Sequence, residues 1–319
     1  MSEPPDADPA GSDPVGTDSG GSGPDQPAGP DPDGLTRWQA ARVRHRLAGL
    51  RPETAEQVRA ALAGARPGDR PHLRRALAAG HPAREVLALA ERIAARPPDW
   101  VASRLRLVDD VPGPQERAGV RLDQVDSTTC GTAVLLALAT GADPLLAFAL
   151  TESRSELEAG FGTRFDRAQL LVHRQSNLWW PRALGTTPWG MTGWLARRAT
   201  GLGPYRVRWV PHRRATRHPG VWGRALPYRP DDALAGIISE VDRALALGDP
   251  VPLLVGARLP RHYVLALRRD GGAGQPCWRI YEPSSGEVRA VPVAAVRERR
   301  LASWLGFDRV HAVLLPRLS

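Results

Sequence analysis

Residues 124–138 read Gln124-Val-Asp-Ser-Thr-Thr-Cys130-Gly-Thr-Ala-Val-Leu-Leu-Ala-Leu138, and this stretch decides the fold prediction. The polar residues at 127–129 are typical of a helix N-cap, and the apolar run after them predicts a buried helix that begins at Cys130. A thiol in the first turn faces backbone N–H groups and the positive end of the helix dipole, and both favour the thiolate form. Gln124 can present its amide to an oxyanion at the same point.

A lone cysteine before an apolar helix is also typical of a buried structural residue. A catalytic interpretation therefore requires a histidine and a carboxylate elsewhere in the chain.

Residues 262–282 supply both groups. They read as two strands around the glycine-rich turn at 270–274. A turn centred on Gly272 places His262 opposite Glu282, with Cβ atoms about 5 Å apart. A carboxylate beside an imidazole fixes its tautomer and stabilises imidazolium. Asp270 is a second candidate acid, but it lies in the turn, far from the strand end that carries His262.

The order Gln, five residues, Cys-Gly, then Gly-Asp-Pro-Val, His-Tyr-Val-Leu-Ala-Leu and Tyr-Glu-Pro resembles the papain-like cysteine peptidase superfamily. Within it, the chain is most similar to the bacteriocin-leader (double-glycine) peptidase-like branch. Glu282 stands where that family usually has Asp or Asn, which requires about 1 Å more room. The resemblance implies catalytic roles for Cys130, His262, Glu282 and Gln124, with no cofactor and no metal.

The fold class that the resemblance implies is α+β. A helical lobe with the cysteine helix comes first, an antiparallel sheet follows, and a small all-α segment precedes both. We expect a disordered acidic tail at 1–34, a helical segment at 35–100, a linker at 101–117 and the papain-like domain at 118–319. Within the helical segment the pattern predicts four helices, over 35–50, 53–65, 71–79 and 82–95.

The amino-acid composition narrows the classes of binding partner and the cellular compartment that we expect. All 43 basic residues are arginine and the net charge is +9, but arginine is spread along the chain, which argues against a nucleic-acid-binding tail. Cys130 and Cys277 form neither a disulfide framework nor a zinc pattern, so a reducing cytoplasm is the simpler expectation, although a bridge between them stays open. The sequence predicts no membrane span, and it leaves the oligomeric state open.

Residues 176–229 are rich in tryptophan. We expect most of these tryptophans to pack in the core and one or two to line a groove for an extended chain.

The function that follows is a thiol hydrolase that cleaves a peptide or other amide bond, with a peptide or protein as substrate. Two alternatives stay open. One is a transglutaminase-like acyltransferase that uses the same triad. The other is a catalytically silent binding module in which the arginine-rich helices contact the partner.

Overall fold

A computed structural model describes residues 31–152, 160–211, 230–271 and 274–317. The described chain combines helices with an antiparallel sheet, so the prediction of an α+β fold is confirmed at that level. Among the described residues no single helix is long and apolar enough to cross a membrane.

The first helices form a segment of their own, with a core that includes Val58, Leu73 and Leu89. The predicted helices are present with bounds shifted by a few residues, and a further helix follows them. The five are α1 Arg37–Ala48, α2 Pro52–Gly64, α3 Arg70–Ala79, α4 Ala83–Ala94 and α5 Pro98–Leu105. The last of these was not predicted, and it crosses the expected boundary at residue 100.

The residues just before α1 are ordered by ion pairs with α3. The carboxylate of Asp31 contacts Arg74 at 2.7 Å, and that of Asp33 contacts Arg70 at 2.8 Å. The expectation of a disordered tail is therefore wrong for residues 31–34, because these acids find fixed cationic partners. Residues 1–30, the rest of that predicted tail, lie outside the described residues.

The remaining helices surround the sheet. They are α6 Cys130–Ala142, α7 Pro144–Thr151, α8 Phe161–Ser176, α9 Pro188–Arg198, α10 Pro230–Ala246, α11 Val293–Arg297 and α12 Ala302–Leu305. As predicted, α6 is a buried helix: every residue except Gly141 is buried, because apolar side chains surround its axis.

The main sheet has seven antiparallel strands in the order β1-β8-β7-β6-β5-β9-β4. Its members are β1 Gly113–Pro114, β4 Tyr205–Trp209, β5 Val251–Gly256, β6 Pro260–Asp270, β7 Cys277–Glu282, β8 Glu287–Pro292 and β9 Arg309–Pro316. A separate hairpin joins β2 Glu116–Arg117 to β3 Val120–Arg121. The expected linker at 101–117 thus contributes an edge strand, β1, to the sheet.

Both faces of this sheet are covered. Alternate residues of β6 enter two cores, with Tyr263 and Leu265 in the one that includes α6 and Val264 and Ala266 in the one that includes α10. This alternation follows from the two-residue period of a strand. All residues of β5 are buried, as expected for a central strand.

Candidate active site

Cys130 is the first residue of α6 and is buried. Thr129 precedes it but does not cap the helix; its hydroxyl donates to the carbonyl of Asp126 at 3.0 Å. The expected side-chain cap is therefore absent from this helix start. Within the hydrogen bonds of the described residues, the backbone N–H of Cys130 has no acceptor. An uncapped N-terminus of this kind leaves donors available to an anionic group.

His262 lies near the start of β6, beside a bulge. Val255 of β5 pairs with His262, but the next residue, Gly256, pairs with Pro260, so Arg261 is the extra residue. Bulges bend a strand and redirect the neighbouring side chain. The buried His262 imidazole lies close enough to Cys130 for that side chain to raise its pKa. It also stacks on the ring of Phe307, with ring centroids 5.6 Å apart.

Glu282 ends β7 and holds the other side of the imidazole. Its Oε1 lies 2.6 Å from Nε2 of His262, which leaves Nδ1 as the ring nitrogen that can face Cys130. Ser284 donates to Oε1 from its backbone N–H at 2.9 Å and from its hydroxyl at 2.6 Å. The backbone N–H of Ser285 donates to Oε2 at 2.9 Å. The carboxylate is therefore fixed from several directions.

These contacts set the charges of the pair. Burial alone would lower the pKa of His262, but its contacts with Cys130 and Glu282 raise that pKa to about 9. Burial alone would raise the pKa of Glu282, but the hydrogen bonds from His262 and the two serines lower it to about 2. At neutral pH the site thus holds an imidazolium beside a carboxylate.

The predicted hairpin register is wrong, although its two residues do meet. Leu265 pairs with Tyr281, and continuing that register places Glu282 opposite Val264, two residues along the strand from His262. A further register shift near Leu267 separates this end from the turn, whose residues 272 and 273 lie outside the described part. Glu282 and His262 are therefore diagonal neighbours on one face of the sheet.

Gln124 reaches the same end of the molecule. Its backbone N–H donates to the carbonyl of Pro283 at 2.8 Å, which ties it to the turn after Glu282. Its side-chain Nε2 donates to the carbonyl of Asp126 at 2.8 Å. One hydrogen of the amide is thus engaged by the loop that leads into α6, and no contact with Cys130 is observed among the described residues.

Gly131 is packed tightly against the neighbouring chain. A Cβ atom built there would lie 3.1 Å from Cδ2 of Tyr263 and 3.2 Å from Cβ of Thr186. Glycine at this position therefore lets β6 and the segment before α9 approach the start of α6.

Large apolar side chains are exposed in the segment that ends at Thr186. Trp179 is 98% exposed, and Leu178, Trp180 and Leu184 are exposed as well. Trp189 and Trp209 are also exposed, whereas Trp194 is buried, and Trp222 lies outside the described residues. The expectation that most of these tryptophans belong to the core is wrong. An exposed apolar surface beside the helix that carries the thiol is typical of an interaction site.

The second candidate acid, the second cysteine and the other histidines outside the N-terminal helices lie elsewhere or outside the described residues. Asp270 forms ion pairs with Arg268 and Arg279 at the far end of the hairpin. His173 is buried on α8 and His311 is buried on β9, while His212 and His218 are outside the described residues. Cys130 and Cys277 are both free thiols. The described residues contain no cluster of His, Cys, Asp and Glu that could hold a metal ion.

Three neighbours of the site were not expected from the sequence: Phe307, Thr186 and Ser284. Of these, only Ser284 had a local signal, because a Pro-Ser-Ser-Gly turn directly after an acid supplies N–H and hydroxyl donors. Phe307 and Thr186 are distant in sequence from the other site residues, and only the folding of the chain brings them to the site.

Comparison with known proteins identifies no relative: no family model, no curated protein and no solved structure matches the chain.

Proposed function

We propose that the protein is a papain-like thiol hydrolase that cleaves a peptide or other amide bond. The observation that carries the proposal is the buried His262, which lies beside Cys130 and donates from Nε2 to the carboxylate of Glu282. A nucleophile, a base and a group that orients the base are the parts that covalent amide hydrolysis needs. A helix with cysteine at its first residue, packed on an antiparallel sheet, supports a papain-like arrangement.

The reaction has two steps. The Cys130 sulfur attacks the carbonyl carbon, the C–N bond breaks, and His262 gives its proton to the leaving amine. Water then attacks the thioester while neutral His262 accepts its proton, the C–S bond breaks, and the acid is released with the Cys130 sulfur and the protonated His262 restored. The free N–H of Cys130 stabilises the oxyanion, and the second amide hydrogen of Gln124 is the further donor.

The exposed apolar surface at 178–184 supports a polypeptide substrate over a small polar amide. Its leucine and tryptophan side chains offer contact area beside the cysteine helix.

Thiol reactivity tests the proposal first. In a Cys277→Ser background the chain has one cysteine, so iodoacetamide alkylation reports Cys130 alone. At pH 7 we expect His262→Ala to slow alkylation about tenfold or more, because the imidazole beside the sulfur, which would activate it as a nucleophile, is lost. The control is His81→Ala, whose imidazole contacts Asp143 instead. Equal rates in the His262→Ala protein and its parent would contradict the proposal.

Product analysis then separates hydrolysis from acyl transfer. A peptide mixture is incubated with the protein and with excess primary amine, and Cys130→Ala serves as the blank. Free carboxyl products support the hydrolase, and amine adducts in their place would favour the acyltransferase.

A further inference from the structure

A cavity of about 500 Å³ lies between the N-terminal helices and the sheet. Its volume is in the range of about 300–1,000 Å³ that is typical of small-molecule sites. The wall includes Ala137, Leu138 and Gly141 from α6 and Leu265 and Leu267 from β6. These lie toward the far end of α6 from Cys130, so the cavity is distinct from the candidate active site.

Much of the cavity surface is aliphatic. Besides the residues on α6 and β6, it is lined by Leu35, Val108, Leu202 and Leu245. An aliphatic wall favours binding of a hydrocarbon group and offers few hydrogen-bond partners to a strongly hydrated ligand.

Two arginines in the same wall have no carboxylate partner. Arg75 donates from Nη2 to the carbonyl of Gly34 at 3.3 Å, and neither Arg75 nor Arg106 forms an ion pair within the described residues. Burial and then the neighbouring Arg106 lower the pKa of Arg75 to about 10. Burial and then the same two guanidinium groups lower the pKa of His72 to about 4. The carboxylates of Asp33 and Asp31 offset part of the positive charge at Arg75 without forming an ion pair with it.

The two acids in the same cavity wall, Asp31 and Asp110, are engaged by other arginines. Asp31 is bonded to Arg74, and Asp110 contacts Arg268, which also pairs with Asp270. The charge of Arg75 and Arg106 therefore remains available to an external anion, and a guanidinium matches carboxylate and phosphate oxygens.

We propose that this cavity binds a small amphipathic anion, with a carboxylate or phosphate head on Arg75 and Arg106 and an aliphatic body against the leucines of the wall. This site is independent of the proposed hydrolase chemistry. The ligand would contact the helix that carries Cys130 and the strand that carries His262.

Calorimetric titration of the full chain tests the site, with octanoate, octyl phosphate and 1-octanol as probes below their micelle concentrations. We expect at least one anion to bind with a Kd on the order of 1 mM or tighter. Tighter binding of octyl phosphate than of octanoate assigns the head as phosphate, and the reverse order assigns it as carboxylate. We expect octanol to bind at least about tenfold more weakly than the better anion.

Three variants locate the binding. Arg75→Gln and Arg106→Gln are each expected to raise the Kd of the better-binding anion about tenfold or more. Gly141→Leu is expected to block the aliphatic body, since a Cβ atom at Gly141 has no atom within 4 Å and leucine also favours the helix. Arg84→Gln, on the exposed surface of α4, is the matched control and is expected to bind like the parent.

The proposal is overturned if neither anion binds, if octanol binds as tightly as the anions, or if the three variants bind like Arg84→Gln. Cys130→Ala is expected to bind the anion normally. That result holds even if the hydrolase proposal fails, so the two outcomes are distinguishable.

Discussion

Glu282 reaches His262 along a diagonal of the sheet, and the length of its side chain makes this contact possible. A residue opposite Val264 lies about 7–8 Å from a diagonal neighbour at the Cα level, which a glutamate spans more easily than an aspartate. The shifted register of β6 and β7 therefore explains why a glutamate at this position can reach the imidazole.

Removal of the Glu282 charge tests this coupling through the titration of His262. In Glu282→Gln we expect the pKa of His262 to fall from about 9 by at least about one unit, because a carboxylate that stabilises imidazolium is lost. We expect Glu282→Asp to give a similar fall, since the shorter side chain does not reach Nε2. The measurement is an NMR pH titration of the imidazole resonances.

The control for that titration is Glu85→Gln. Glu85 contacts His81 at 3.1 Å and is remote in the chain from His262, so only the titration of His81 should move. An unchanged His262 titration in Glu282→Gln would show that the carboxylate does not stabilise the imidazolium.

Helix α6 contains two glycines, one closely packed and one with open space around it. Substituting each with alanine tests how tightly the helix is packed at that position. Gly131→Ala brings a Cβ atom to 3.1 Å from the Tyr263 ring, whereas Gly141→Ala meets nothing within 4 Å. We expect Gly131→Ala to destabilise the protein by about 1–3 kcal/mol through overpacking. We expect Gly141→Ala to stabilise it by up to about 1 kcal/mol through helix propensity.

Chemical denaturation measures both changes, and the alkylation rate of Cys130 gives a second readout. Gly131→Ala should also change that rate, because Tyr263 follows His262 in the same strand. Equal stability of the two variants would mean that the start of α6 tolerates displacement.

The elements that sequence patterns predicted are those with strong periodicity or clear caps. The helix α6 and the strands β6 and β7 belong to this group because their apolar runs are long. Helix α5 was missed, because Pro97 and Pro98 read as a break although proline also suits a first helical turn. The register of β6 and β7 was missed because a bulge leaves no local signal in the sequence.

The same distinction applies to the candidate site. Cys130, His262 and Glu282 were predicted from their types and order, and the structure brings them together. Their supporting residues were not predicted, because Phe307 and Thr186 arrive from distant parts of the chain.

The helical segment meets the rest of the molecule through apolar packing, with Leu145 and Phe148 of α7 against its core, and through polar contacts. Nε2 of His81, just before α4, contacts Asp143, the N-cap of α7, at 2.8 Å, and Thr200 donates its hydroxyl to the carbonyl of Ala79. The hydrogen bond that His81 donates to the carboxylate of Asp143 raises the pKa of His81 above 6.5. The charged contact therefore stabilises the protein fully below pH 6.5, and this contribution is lost as the pH rises through the folded-state pKa.

We expect His81→Ala to lower the free energy of unfolding by about 0.5–1 kcal/mol at pH 6 and by less at pH 9. Denaturant titration at the two pH values measures this difference. The control is His45→Ala on the exposed face of α1, which should leave the free energy of unfolding unchanged at both pH values. A loss for His81→Ala that does not change with pH would show that the imidazole charge has no part in joining the two segments.

Strand β4 has a consequence for the behaviour of the protein at high concentration. It ends the seven-stranded sheet, so one side of its backbone has no strand neighbour among the described residues. Arg206 and Arg208 project from it, both near Glu240 of α10. Charged side chains on an edge strand oppose its pairing with the edge of another copy. At the opposite edge, β1 is only two residues long and is a poor template. Both ends of the sheet therefore resist aggregation by strand addition.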